Sequence, residues 1–74
     1  MDEDELKLKI GAVIRAKRTE MGISQEDFAD SIGMHRAYYS VVERGVRNIT
    51  LPTLLRVARG LKAKPSDLLR KAGL

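Results

Sequence analysis

The chain has no cysteine and no tryptophan, and only one histidine, in 74 residues. Without cysteine, disulfides and thiolate zinc sites are excluded. His35 alone cannot build a histidine-rich metal site, so neither metal nor cofactor is expected. No apolar run approaches the roughly 20 residues of a membrane span. The acidic start, Met1-Asp2-Glu3-Asp4-Glu5, is the opposite of a basic signal peptide. A cytoplasmic protein away from membranes is expected. No nucleophile–base pair, paired-carboxylate signature or phosphate loop is visible, so an enzyme is not expected.

The charges present are unevenly placed. The formal net charge is +4, yet four of the ten acids lie at positions 2–5. The remainder carries 14 bases against 6 acids. That balance suits a polyanionic partner, although solubility alone can explain such charge. The acidic start either weakens non-specific attraction to phosphate or is a solvated helix N-terminus.

Glycine and proline fall between periodic segments, strand alternation is absent, and five helices are predicted within one domain, 1–74. The first runs from about Asp4 to Glu20, with Leu6, Ile10, Val13, Ile14 and Lys17 on one face. Gly22 stops it. The second begins at Ser24, whose hydroxyl can cap Asp27 while Asp27 returns a bond. Phe28, Ala29 and Ile32 form its buried face. Gly33 turns the chain into a third helix, about Arg36–Arg44, with Tyr39 and Val42 inward and Gly45 ending it. His35 is a cap or turn residue. Thr50 caps a fourth helix with Pro52 in its first turn, and Leu51, Leu54, Leu55, Val57, Ala58 and Leu61 form a wide apolar stripe. A fifth opens at Pro65 and carries Leu68 and Leu69. The fold class is all-α, a compact five-helix bundle.

Residues 24–44 then read as a helix-turn-helix, with Ala29 and Gly33 supplying small residues at the helix crossing. A third helix laid in the DNA major groove aims its first turn at base edges. Arg36 lies there, and arginine can bond guanine O6 and N7 together. Ala37 can meet a thymine methyl, and Val41, one turn on, can do the same. Gln25, Tyr38, Ser40, Arg47 and Asn48 are candidates for the phosphate backbone. Each has a plainer reading. Arg36 can be a solvated surface arginine, Tyr38 a ring over apolar atoms, Val41 an unremarkable valine, and 45–50 a simple connection.

Ser24-Gln25-Glu26, Phe28-Ala29, Gly33, Tyr39-Ser40, Glu43-Arg44-Gly45, Leu51, Leu54, Ala58 and Leu61 together resemble the phage repressor and Cro family of helix-turn-helix proteins, over residues about 10 to 69. That resemblance implies a repressor-like fold and base-reading roles for Arg36, Ala37 and Val41. It also implies a phosphate contact at Gln25 and a structural pair of Arg18 with Glu43. Arg36-x-Tyr38-x-Ser40 and Arg47-Asn48 are similar, more narrowly, to restriction-modification controller proteins. That implies a homodimer on palindromic operator DNA, in the fullest case two dimers per operator, regulating restriction-modification genes including its own. RNA polymerase is an implied partner, and the prokaryotic nucleoid the implied location. Three positions depart from the family pattern. Tyr39 stands where isoleucine or valine is usual, His35 replaces a Ser or Thr cap, and Lys64 precedes Pro65.

One reading helix contacts few base pairs, so two copies are expected, about one helical turn or 34 Å apart. Helices 4 and 5, about 51–72, are the expected dimerisation surface. Ile49, Leu51, Leu55 and Leu69 are either its apolar side chains or members of the core. No sensor domain is read in the sequence, so regulation would follow protein concentration. The alternatives are a phage-type repressor and an antitoxin-like module that uses the fold to hold a protein.

Overall fold

A computed structural model describes residues 1–74 and contains five helices: α1 Glu3–Glu20, α2 Gln25–Ser31, α3 Arg36–Arg44, α4 Leu51–Gly60 and α5 Pro65–Lys71. The helix starts are set by side chains. The Asp2 carboxylate accepts the Glu5 amide at 2.7 Å, which begins α1 at Glu3 rather than Asp4. Ser24 accepts from the Asp27 amide at 3.0 Å and Thr50 from the Thr53 amide at 3.2 Å. The return bond expected from Asp27 is not formed. His35 holds the N-cap position of α3 by backbone alone, with no cap bond from its ring. At α5, Asp67 accepts the Lys64 amide at 3.4 Å, which compensates for a lysine at the cap.

The core draws on every helix. Ile14, Phe28, Tyr39, Val57 and Leu68 are fully buried, with Ile10, Val42, Leu54, Ala58 and Leu61 around them. Phe28 and Tyr39 pack ring to ring, centroids 5.1 Å apart. Ile32, expected inside, is only half-buried. Leu51 and Leu55 lie outside the core, 73% and 48% exposed, so the α4 stripe is wider than the core it serves.

The helix-turn-helix is α2 and α3, and α1 is fitted against the end of α3. A Cβ on Gly11 would lie 2.7 Å from the Val42 carbonyl oxygen and closer still to that of Glu43. Gly45 answers from the other side. It has φ +70°, and a Cβ there would lie 2.7 Å from Leu8 Cα. Gly33 differs from its expected role. A Cβ on it would meet nothing within 4 Å, so it serves the turn through φ +68° rather than the helix crossing. Ala29, fully buried, supplies the small side chain there.

Candidate nucleic-acid interface

The α3 helix is held by one buried carboxylate. Arg18 Nε donates to Glu43 Oε2 at 2.6 Å and Nη2 to Oε1 at 3.2 Å. Gln25 Nε2 donates to Oε1 at 2.9 Å, and the Tyr39 hydroxyl donates to Oε2. Arg18 Nη1 also donates to the Ile23 carbonyl at 2.7 Å, tying in the α1–α2 connection. Three helices thus meet on Glu43, a residue 6% exposed. Burial pushes the Glu43 carboxyl up, but the donors Arg18, Tyr39 and Gln25 outweigh it and hold the group below its ordinary value. The bond to Glu43 raises Arg18 further, against burial. Burial, then the bond to Glu43, keeps the Tyr39 phenol protonated well above its ordinary value.

The family resemblance implied a pair of Arg18 with Glu43, and the two side chains are bonded here. The Tyr39 hydroxyl bond was not anticipated, although Tyr39 and Glu43 are four apart on one helix face, which is hydrogen-bonding spacing. Gln25, expected on phosphate, spends one amide N–H on Glu43. Its other N–H and its carbonyl oxygen have no partner within the chain.

Tyr39, Val42 and Glu43 occupy the inward face of α3, so the rest of the helix turns outward. Arg36 and Ala37 are exposed there, and Ser40 and Val41 are half-buried at the surface. Val41 does not pack on the core, whereas Tyr38 does, through its ring. Arg36 forms no ion pair or hydrogen bond within the chain. Arg44 belongs to this face and was missed. It is exposed, four residues from Ser40 and seven from Ala37, a spacing legible in the sequence.

Arg47 and Asn48 are exposed on the loop after α3. Between Ser31 and Ser66 there are seven bases and one acid, and that acid is the buried Glu43. The surface that this stretch contributes is therefore basic. Ile49 and Leu69 are half-buried against the core. With Leu51 they border a cavity of about 350 Å³ between α1, α4, α5 and the loop after α3, which Arg47 and Asn48 also line. Exposed Leu55 lies on the same helix as Leu51. No helix of the chain is long and apolar enough to cross a membrane.

A short helix braced across a second one, whose outward face is left free, defines a helix-turn-helix protein. The helix-turn-helix family profile matches residues 14–68, and the chain belongs to that family. Within it the chain stands with the restriction-modification control proteins. It is 37% identical over 70 residues to the control protein C.SmaI of Serratia marcescens, covering 95% of this chain and 83% of that one. The crystal structure of the controller protein C.AhdI of Aeromonas hydrophila is similar to it at TM-score 0.79 and 41% identity, covering 82% and 92% of the two chains. The controller protein C.Esp1396I, solved as a tetramer with its natural 35-base-pair operator, matches at TM-score 0.80 and 34% identity over 90% of this chain and 92% of that chain.

Proposed function

We propose that this chain is a sequence-specific DNA-binding transcription regulator that controls restriction-modification genes, its own included, by binding operator DNA as a homodimer. The observation that carries this reading is the α3 face. It offers unpaired Arg36 beside Ala37 and Val41, on a helix whose inner side is clamped by Glu43. Arg36 reads guanine through its fork of donors, while Ala37 and Val41 contact thymine methyls. Gln25, Tyr38, Ser40, Arg47 and Asn48 grip phosphates and sugars, and Arg44 joins them from the outer end of α3. Tyr38 does so through its hydroxyl, its ring being engaged with the core.

Leu51 and Leu55, with Ile49 and Leu69 beside them, form the contact between two copies. Leu51 and Leu55 are apolar side chains in excess of one core, while Ile49 and Leu69 pack on it and offer their remaining surface. A two-fold pair presents two α3 helices to successive major-groove faces of a palindrome, and two such pairs can occupy one operator. The chain acts in the cytoplasm, on the nucleoid, as a regulator without a catalytic centre.

The test is a gel-shift titration with duplex DNA from immediately upstream of the chain's own gene, against a random duplex of equal length. Specific regulators of this kind prefer their site by at least about 10³-fold. Equal affinity for the two duplexes, with no protected footprint, would reject the reading. Methyltransferase and endonuclease genes adjacent to it would support the restriction-modification assignment, and a toxin gene would overturn it.

A further inference from the structure

Glu43 receives four donors, and a carboxylate offers about four lone-pair positions. Oε1 takes Arg18 Nη2 and Gln25 Nε2, and Oε2 takes Arg18 Nε and the Tyr39 hydroxyl. The fourth donor exists because position 39 is tyrosine. An isoleucine or valine, usual there in the repressor and Cro resemblance, would fill volume and donate nothing. The hydroxyl and Arg18 Nε pin Oε2 from two sides, and this sets the direction in which Oε1 points. At Oε1 the Arg18 bond is the longer one, 3.2 Å, and Gln25 has the shorter at 2.9 Å.

We propose that Tyr39 is a positioning residue for DNA recognition: its hydroxyl on Glu43 fixes the carboxylate in the pose that holds the Gln25 amide, so that the free N–H of Gln25 is presented to a backbone phosphate. The proposal rests on the DNA-binding reading above. Without the hydroxyl to hold Oε2, the Arg18 guanidinium, the one charged donor, draws the carboxylate toward itself. Every bond to the carboxylate is charge-assisted, but only the Arg18 bonds carry charge on both partners, so the neutral amide of Gln25 is the partner released. Gln25 is half-buried at the surface and then moves freely.

The variant is Tyr39→Phe, which keeps the ring against Phe28 and removes one oxygen. The first measurement needs no DNA. In the ¹⁵N-labelled protein, the Gln25 side-chain amide, assigned by its loss in Gln25→Ala, is expected rigid and slow to exchange in the parent. In Tyr39→Phe it is expected mobile and fast. An amide that stays rigid overturns the proposal.

The second measurement is affinity for the duplex upstream of the chain's own gene, taken well below the melting temperature. Tyr39→Phe is expected to weaken binding roughly threefold to tenfold, the effect of one lost phosphate bond. In a Gln25→Ala background the same change is expected to cost less than about twofold, since the two act through one contact. A residue that only stabilises the core would lower the melting temperature and leave affinity unchanged. Unchanged affinity, or equal loss in both backgrounds, overturns the proposal. If the parent itself shows no preference for that duplex, the DNA-binding reading fails and the phosphate role with it, while the amide measurement still decides the link from Tyr39 to Gln25.

Discussion

Arg18 Nε lies 2.6 Å from Glu43 Oε2, across 25 residues of sequence, and this pair joins α1 to the end of α3 inside the core. Its energetic meaning is asymmetric. The pair as a whole adds little net stability, since two charges had to leave water. Losing one partner strands the other.

Glu43→Ala is therefore expected to cost about 3–5 kcal/mol, against a total stability of roughly 4–11 kcal/mol for a chain this short. Urea denaturation followed by circular dichroism reads it. The triple replacement Arg18→Met, Glu43→Leu and Tyr39→Phe, which leaves no buried hydroxyl without an acceptor, should recover much of the loss. A single-variant cost near zero would show the pair to be solvated.

The same carboxylate sets an acid limit. Its folded pKa is depressed, so the unfolded chain binds the proton more readily. The contribution is present above the ordinary carboxylate value of 4.5 and is lost as pH falls through the lower folded value. Tyr39 has the opposite sign. Its raised pKa makes a contribution that is complete below 10.0 and declines as pH rises above it. Urea midpoints from acid to alkaline pH should fall at both ends. In Tyr39→Phe the alkaline decline should shrink.

Arg36→Ala is expected to lose about 1–3 kcal/mol on the cognate operator and to relax preference at one base pair. Competition gel shifts with single-base operator variants measure this. Loss of the same size on random DNA would place Arg36 on phosphate.

Arg47→Ala should weaken specific and non-specific binding alike, and lower the slope of log affinity against log salt by about 1. A slope identical to the parent's would remove Arg47 from the backbone contacts.

Leu51 and Leu55 are 73% and 48% exposed, so charging them should cost the monomer little. Leu51→Glu with Leu55→Glu is expected to leave the helical spectrum intact, shift sedimentation to monomer and abolish tight operator binding. A variant that remains dimeric would move the interface elsewhere.

Much of this was legible along the chain because it depends on local chemistry. Ser24 and Thr50 cap helices wherever such helices form, Gly33 and Gly45 permit a positive φ, and the 3.6-residue period exposes the inward faces of α1 and α3. Arg36 and Ala37 could be placed on the outer face for the same reason. The resemblance paired Arg18 with Glu43 because both stand at family positions.

Other features depend on which surfaces meet. Leu54 and Leu55 are neighbours of identical chemistry, yet one is buried and the other half in water, because only the packing of α4 on the other helices chooses between them. Gly11 is a poor helix former by type, and only the approach of the α3 backbone accounts for it. Sequence by itself determined five helices, the Ser24 and Thr50 caps and an outward face of α3 that carries Arg36, since these follow from spacing and side-chain type within a few residues. Tertiary structure alone decided that Arg18, Gln25 and Tyr39 share a single carboxylate, because a buried charge must gather its donors from whatever helices surround it.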